Sequence, residues 1–238
     1  MKVKVLGTGG ALEELPTAYI VEENILVDCG LEIVKKIIKS NEIDNIDTIC
    51  ITHLHMDHIS GFELFVFYKL FKKETFKVFA GPDFLNFYKN LKCSIESFSG
   101  KYIQPFEFTE INQTFYKLNK DINLNVIKVK HCGGVIPAFA FTFVKGDDPF
   151  KSSKIIISGD TDSPLPISNT MLKNNNMICF HDMGWQGLEN LNVPKVHCTE
   201  QEVYNIVGPS ERLLAIHCNK NSIFKYYEKA EEDQIYYI

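Results

Sequence analysis

The 238-residue sequence lacks several features that would assign it to common protein classes. It has no stretch of about 18 apolar residues, which a membrane-spanning helix needs. Residues 1–10 hold no long apolar run, so we expect no secretory signal. No G-x-S-x-G segment is present, which excludes the usual serine-hydrolase elbow. Because internal repeats, low-complexity tracts and flexible linkers are also missing, we expect residues 1–238 to form a single domain.

Neither the cysteines nor the charge points to a familiar binding class. The seven cysteines contain no C-x-x-C pair, so neither a zinc knuckle nor a dithiol redox motif is predicted. An odd, scattered set is typical of reduced thiols, which indicates a cytoplasmic protein. The formal net charge of −5 predicts no basic surface for duplex nucleic acid or for an anionic membrane. An anionic substrate would therefore need a local positive centre, which bound metal ions would supply.

Apolar periodicity predicts strands mixed with helices along the whole chain. The predicted strands cover residues 3–6, 19–21, 25–28, 46–52, 76–80, 122–130, 137–144, 154–158, 177–181 and 212–217. The predicted helices cover residues 31–39, 62–71, 84–92, 166–173 and 200–207. This mixture in both halves of the chain predicts an α/β (α+β) architecture, with two packed sheets and helices outside them.

The strongest chemical signal is the segment Thr52-His53-Leu54-His55-Met56-Asp57-His58. Imidazole and carboxylate groups are good ligands for a borderline metal such as zinc. His53 and His55 point to the same side of an extended segment, whereas Asp57 and His58 turn toward a neighbouring position. Four such residues in six positions therefore predict ligands for two metals. The alternative is a merely polar turn.

Three later residues of ligand type follow predicted strands. They are His131, Asp160 and His217. A lone histidine or aspartate is more often structural than a ligand, but strand ends hold side chains more rigidly than free loops do. Asp162 is an alternative to Asp160.

With these residues in this order, the chain resembles the metallo-β-lactamase superfamily, whose signature is H-x-H-x-D-H. The resemblance extends to the glycine turn at residues 7–10 and to Asp28-Cys29-Gly30. It implies a four-layer αβ/βα sandwich with the site along one edge. It also implies two ligand sets, namely His53, His55 and His131 for one metal and Asp57, His58 and His217 for the other, with Asp160 bridging both. Asp28 would orient ligands rather than bind metal.

The implied cofactors are two divalent metal ions, with zinc expected and manganese or iron as alternatives. Two such ions about 3.5–4 Å apart would share a hydroxide, because metal binding lowers the pKa of water. Asp57 would orient that nucleophile. Such a centre suits a phosphodiester, an ester, a thioester or a lactam, so the ligand motif alone does not select the substrate.

The two remaining histidines, His181 and His197, limit the range of possible substrates. His181-Asp182 ends a predicted strand, and His197-Cys198-Thr199 precedes a predicted helix. The pair resembles the phosphodiesterase branch of the superfamily, which includes the tRNA 3′-processing nucleases and the anti-Pycsar cyclic-nucleotide phosphodiesterases. In that branch an H-[DE] segment is followed by H-[ST]-T, so Cys198 is a departure. The resemblance implies that Asp182 holds His197, which protonates the leaving oxygen or stabilises the phosphorane.

Two alternatives remain for these residues. His181 could be a satisfied core residue and His197 a surface residue at a helix start. Trp185 could stack on a base or belong to ordinary packing.

Within that branch, the compact anti-Pycsar pattern fits best. Residues 132–159 alone separate His131 from Asp160, which leaves no room for the long inserted arm of the tRNA-processing enzymes. The acidic charge also fits poorly with a large folded RNA. We therefore expect a small phosphodiester substrate such as a cyclic nucleotide, and the resemblance implies a homodimer. The alternatives are a thioesterase or lactonase of the same fold and a non-catalytic metal-binding sensor.

Overall fold

A computed structural model describes residues 1–99, 104–146, 151–165, 176–185, 188 and 194–238 of the chain. The strands are β1 Lys2–Gly7, β2 Ala18–Val21, β3 Ile25–Val27, β4 Thr48–Cys50, β5 Phe76–Ala80, β6 Phe106–Glu110, β7 Phe115–Lys117, β8 Ile122–Val129, β9 Ala138–Lys145, β10 Ser153–Ile157, β11 Met177–Asp182, β12 Leu213–Ile216, β13 Glu228–Lys229 and β14 Ile235–Tyr237. The helices are α1 Leu31–Lys39, α2 Met56–Ile59, α3 Phe62–Lys72, α4 Phe84–Ser99 and α5 Glu200–Val207. The helix predicted at 166–173 lies outside the described residues. Among the helices that are described, none combines the length and apolarity that crossing a membrane requires.

The first sheet has the strand order β14-β1-β2-β3-β4-β5-β6. The neighbouring strands from β14 through β1 and β2 to β3 pair antiparallel, whereas β3, β4, β5 and β6 run parallel. Parallel strands need a crossover connection, which is usually helical. Here α1 joins β3 to β4, α3 lies between β4 and β5, and α4 joins β5 to β6.

The second sheet has the order β13-β12-β11-β10-β9-β8-β7. Strands β10, β11, β12 and β13 are parallel, and β9 runs antiparallel to both β8 and β10. Strand β8 therefore runs in the same direction as β10. The carboxyl ends of β8, β10, β11 and β12 meet at one edge of this sheet.

Alternation of side chains along the strands separates three apolar layers. Tyr19 and Val21 belong to the core between the two sheets, whereas Ile20 faces the helices outside the first sheet. On the second sheet, Ile156 packs on the outer side in one cluster with Val203 of α5. The result is a sequence of layers, helix–sheet–sheet–helix, which is the predicted four-layer αβ/βα sandwich.

Several element boundaries differ from the prediction. Strand β4 covers only Thr48–Cys50, because the chain leaves the sheet before the histidine segment. Helix α4 continues to Ser99, beyond the predicted end at residue 92. Strands β6, β7, β13 and β14 were not predicted; the exposed positions within them leave too few apolar residues for a strand pattern.

Helix α5 has the expected bounds, and hydrogen bonds made by Thr199, Glu200 and Glu202 hold its N-terminal end in place. The Thr199 hydroxyl accepts from the Glu202 N–H, and the Glu202 carboxylate accepts from the Thr199 N–H, which forms a capping box. Glu200 is buried, and its carboxylate accepts the backbone N–H groups of residues 225, 226 and 227 at 2.5–3.0 Å. One acidic side chain therefore ties α5 to the chain segment that follows β12.

Replacement of Glu200 by alanine should lower the free energy of unfolding by about 2–3 kcal/mol, because three backbone N–H groups lose a charged acceptor. Urea unfolding followed by circular dichroism would measure the change. Gln201→Ala is the matched control, because Gln201 is exposed, and its effect should stay within about 0.5 kcal/mol. Equal effects of the two substitutions would contradict this role of Glu200.

Candidate metal centre

Most of the predicted site residues lie at or just beyond the carboxyl end of a strand, whereas Asp57 and His58 belong to α2 and His197 precedes α5. His53 follows β4, His131 follows β8, Asp160 follows β10 and His217 follows β12. Asp182 is the last residue of β11. Parallel strands bring their carboxyl ends to one edge, which explains why residues far apart in the chain come together here.

The histidine segment changes direction between its two pairs of ligand-type residues. His55 is the N-cap of the short helix α2, and its carbonyl accepts the N–H of His58 at 2.9 Å. This turn places Asp57 and His58 on a different side from His53 and His55. A single short segment thus supplies side chains to two groups.

The first group contains His53, His55, His131 and Asp160, whose potential ligand atoms all lie within 4.8 Å of one another. His131 Nε2 is 3.2 Å from His55 Nδ1, and His53 Nε2 is 3.6 Å from Asp160 Oδ2. The structure therefore assembles the residues predicted to hold the first metal.

The second group contains Asp57, His58 and His217, again within 4.8 Å. Asp57 Oδ2 is 3.4 Å from both His58 Nε2 and His217 Nε2. Asp160 also lies 3.4 Å from His58 Nε2 and 3.3 Å from His217 Nε2. Asp160 is therefore next to both groups, as the predicted bridging role requires.

Asp162, the alternative to Asp160, points elsewhere. Its carboxylate accepts the Gly133 N–H at 3.2 Å. Among the described residues, no metal-type group includes it.

The donor atoms at the centre of the cluster fit divalent metal ions. His53 Nε2, His58 Nε2 and Asp160 Oδ1 are buried and have no hydrogen-bond partner among the described residues. Buried polar atoms normally have a partner, so several unpaired ones facing each other need an explanation. Nitrogen and carboxylate donors at this spacing match the ligands of zinc and similar ions.

Hydrogen bonds on the far side of the imidazole rings turn their Nε2 atoms toward the centre. His53 Nδ1 contacts the Thr52 hydroxyl at 3.1 Å, and His58 Nδ1 contacts Asp28 at 2.8 Å. His131 Nδ1 donates to the carbonyl of Val196 at 2.9 Å. Such contacts fix the tautomer and the ring orientation of metal-binding histidines.

The two aspartates within the groups are held in the ionised form. Burial raises the pKa of Asp57, but the contact with His217 and the nearby His58 ring, each 3.4 Å from the carboxylate, outweigh burial and hold that pKa well below its usual value. Burial also raises the pKa of Asp160, and the charges of His217, His58 and His53 lower it far more. Ionised carboxylates are the forms that bind cations.

Asp182 and His197 form a pair beside the two groups. His197 Nδ1 is 2.9 Å from Asp182 Oδ2, and the His197 ring lies 4.5 Å from the His217 ring. Burial lowers the pKa of His197, but the charge of Asp182 and this hydrogen bond raise it to about 9. The side chain is 15% exposed, so His197 is not the surface residue of the alternative reading.

His197 also lies within reach of a metal. A potential ligand atom of His197 lies within 4.8 Å of those of Asp160 and His217. The geometry alone is therefore compatible with a proton donor and with a further ligand.

The other two uncertain residues are buried. His181 is fully buried, and both ring nitrogens have partners. Trp185 is only 7% exposed, and its backbone N–H donates to the Cys198 carbonyl at 3.0 Å. The Trp185 side chain is therefore packed inside the protein and is not exposed for stacking on a base.

Two glycines, Gly184 and Gly10, enclose His217, a contact that was not predicted for either of them. A Cβ at Gly184 would lie 2.7 Å from the His217 carbonyl oxygen, 3.0 Å from His217 Nδ1 and 3.1 Å from His197 Cγ. A Cβ at Gly10 would lie 3.0 Å from His217 Cε1. His217 itself has a left-handed φ of 59°. The only signal was the position of Gly184 two residues after Asp182, and that spacing alone indicates no contact.

Comparisons with known proteins identify the relatives of this chain. A family described as Anti-Pycsar protein Apyc1 matches residues 1–230. A Ribonuclease Z from Borrelia duttonii (strain Ly) is 30% identical over 162 residues, which is 63% of this chain and 50% of that protein. The chain thus spans about half the length of the Ribonuclease Z relative it matches.

Two solved structures share the fold. The short form of human tRNase Z has a TM-score of 0.73 at 19% identity, covering 100% of this chain and 99% of the other. The metallo-beta-lactamase fold protein YhfI from Bacillus subtilis has a TM-score of 0.71 at 17% identity, covering 99% of both chains. The predicted metallo-β-lactamase sandwich is therefore confirmed.

Substitution of Gly184 by alanine should weaken the binding of a divalent metal ion, with Zn²⁺ as the probe, by about tenfold or more, because the new methyl group would displace His217 and His197. The φ of Gly184 is not in the left-handed region, so the backbone itself tolerates alanine. Zinc affinity would be measured by competition with a chromophoric chelator.

Gly146→Ala provides the control for this experiment. Gly146 has a left-handed φ of 106°, and among the residues that the structure describes its Cβ would meet Ser152, at ordinary contact distance. This variant should lose stability without losing zinc affinity. Normal zinc affinity in Gly184→Ala would show that the close packing around His217 has no influence on the centre.

Proposed function

The chain belongs to the family described as Anti-Pycsar protein Apyc1, and on that premise we propose that it is a metal-dependent phosphodiesterase. Its substrate in this proposal is a small phosphodiester such as a cyclic nucleotide. The observation that carries the proposal is the hydrogen-bonded pair of Asp182 and His197, 2.9 Å apart, beside the cluster around Asp160. A hydrolase whose leaving group is an alkoxide benefits from such a positioned acid.

In this proposal, His53, His55 and His131 would hold one divalent ion, and Asp57, His58 and His217 would hold the other. Asp160, which is adjacent to both groups, would be shared between them. Bound ions would supply Lewis acidity and would lower the pKa of water. Zinc is the expected metal, with manganese or iron as alternatives. A homodimeric, cytoplasmic protein is expected as well.

Beyond the holding of metal ions, three side chains, those of Asp57, His197 and Asp182, would take part in the reaction. Asp57 belongs to a ligand group and, being ionised, can orient the attacking water by accepting a hydrogen bond from it. His197 has Nδ1 bound to Asp182, so only Nε2 is free to donate a proton to the leaving oxygen. The Asp182 carboxylate fixes the tautomer and favours the charged imidazole. Both roles fit the cleavage of a P–O bond to an alkoxide.

The size of the expected substrate is inferred from charge and chain length. The net charge of −5 does not favour a long polyanion, whose affinity depends on many phosphate contacts. Strands β9 and β10 pair directly, from Lys145 with Ser153 to Phe141 with Ile157. The short connection between them supports a small phosphodiester rather than a large folded RNA.

The loss of activity caused by replacing His197 should depend on the leaving group of the substrate. In the zinc-loaded protein, His197→Ala should slow the hydrolysis of 3′,5′-cyclic nucleotides by about 10²-fold or more, because their alkoxide leaving group needs a proton. Hydrolysis of bis(p-nitrophenyl) phosphate should fall much less, because p-nitrophenolate leaves without protonation. Steady-state rates on both substrates measure the difference.

The same assay separates the competing functions. Equal losses on both substrates would argue against His197 as the acid. If neither diester is hydrolysed but thioesters or lactones are, the protein is another hydrolase of this fold. If no substrate class turns over while zinc is bound, the non-catalytic sensor is favoured.

Zinc binding by two variants, Asp182→Asn and His197→Ala, separates the support that Asp182 gives the metal centre from the role of His197 as acid or as ligand. Asp182 Oδ2 accepts both the Thr161 N–H at 2.8 Å and His197 Nδ1 at 2.9 Å. Asp182 Oδ1 accepts the Gly184 N–H at 2.8 Å. Asparagine keeps only one oxygen, so one side of this arrangement loses its acceptor: either the contacts at Thr161 and His197 or the contact at Gly184, beside His217. Zinc affinity should therefore fall about tenfold. His197→Ala should keep two bound zinc ions per chain. Loss of one zinc ion in His197→Ala would identify His197 as a ligand instead.

A further inference from the structure

His181 lies in the second sheet, immediately before Asp182, and has two hydrogen bonds to backbone groups. The side chain is fully buried. Nε2 is 3.0 Å from the backbone nitrogen of Leu165, and Nδ1 is 2.9 Å from the carbonyl oxygen of Asp182. With no exposed surface and both nitrogens occupied, His181 has no means of touching a substrate.

These two partners admit a single form of the imidazole ring. The Leu165 N–H can only donate, so Nε2 must carry a lone pair. The Asp182 carbonyl can only accept, so Nδ1 must carry the hydrogen. A charged ring would place a second N–H against the Leu165 N–H. Burial also lowers the pKa of His181, in agreement with a neutral ring.

Leu165 belongs to the segment that begins at Asp160. Near its start, the Thr161 N–H donates to Asp182 and the Thr161 carbonyl accepts from the Cys198 thiol at 3.3 Å. The Asp162 N–H donates to the carbonyl of Lys130 at 2.8 Å. The bond from Leu165 to His181 secures the segment five residues after Asp160 in the chain.

We infer that His181 is a positioning residue, which as the neutral Nδ1–H tautomer locks the segment Asp160–Leu165 onto the end of strand β11. It thereby sets the position of Asp160 directly through the chain. It also sets the position of His197 through Asp182, whose carbonyl it holds. This inference rests on the proposed function only for the roles given to Asp160 and His197.

The tautomer can be observed directly in the zinc-loaded protein. A long-range ¹H–¹⁵N spectrum of protein labelled at histidine distinguishes protonated from unprotonated ring nitrogens, and the signals missing in His181→Gln identify His181. Nδ1 should be protonated and Nε2 unprotonated. The opposite tautomer, or a doubly protonated ring, would overturn the inference.

Two substitutions test the positioning role. His181→Leu fills the volume but offers no acceptor to Leu165, so zinc affinity and kcat should fall about 10- to 100-fold while KM stays unchanged. His181→Gln provides an amide oxygen that can accept the Leu165 N–H, and it should recover most of the loss. Unchanged zinc affinity in folded His181→Leu, or no recovery in His181→Gln, would contradict the role.

Tyr227→Phe is the control for a general effect of altering a buried hydrogen bond. The Tyr227 hydroxyl donates to the Gly208 carbonyl at 2.7 Å, at the end of α5. This variant should lose stability and keep its zinc affinity. Zinc affinity and the tautomer do not depend on the substrate, so a protein that hydrolyses no diester would refute the proposed function and leave His181 testable.

Discussion

Burial of the Asp160 carboxylate among histidines is the interaction on which the rest of the site depends. An ionised group in the protein interior is costly unless it is paired or bound to a metal. Asp160 is 2% exposed and lies within 3.3–3.9 Å of nitrogens from His53, His58, His131 and His217. Those histidines follow three different strands, β4, β8 and β12. Both sheets must therefore end at the same edge, and the four-layer arrangement satisfies that requirement.

In each sheet, one buried aspartate at a strand end holds an imidazole ring and a neighbouring backbone segment in position. Asp28, after β3, accepts the Thr52 N–H next to His53 and contacts Nδ1 of His58, each at 2.8 Å. Asp182, at the end of β11, accepts the Thr161 N–H next to Asp160 and contacts Nδ1 of His197. In both cases one carboxylate orients an imidazole and anchors the backbone beside a ligand-type residue. The centre is thus supported in the same way from its two sides, although the two sheets differ in topology.

Many of the helix and strand positions and most of the candidate ligands could be predicted from the sequence, because the signals for them lie in residues close together in the chain. Helices α1 and α5 had the expected bounds, because apolar spacing and the cap at Thr199 are written in adjacent residues. The segment from His53 to His58 could be recognised because four residues of ligand type stand within six positions. His131, Asp160 and His217 are not distinctive singly, and could be named because the chain resembles the metallo-β-lactamase superfamily. The contacts of His181 with Leu165 and of Gly184 with His217 could not be predicted, because they depend on chain segments that meet only after the sheets have formed. The partly exposed strands β7 and β13 carried too little apolar pattern to be recognised.

The distinction between hydrolases of this fold therefore lies outside the ligand set. The two groups around Asp160 provide donors for metal ions, and such a centre serves phosphodiesters, thioesters and lactones alike. What differs among these reactions is the leaving group: an alkoxide needs a proton, whereas a thiolate does not. In the proposed function, His197 is the acid that supplies this proton, because Asp182 occupies its Nδ1 and leaves Nε2 as the donor. Since Asp182 also anchors Thr161, the acid and Asp160 depend on the same carboxylate. A change at Asp182 therefore reaches the metal-binding cluster as well as the acid, whereas a change at His197 can affect the acid alone.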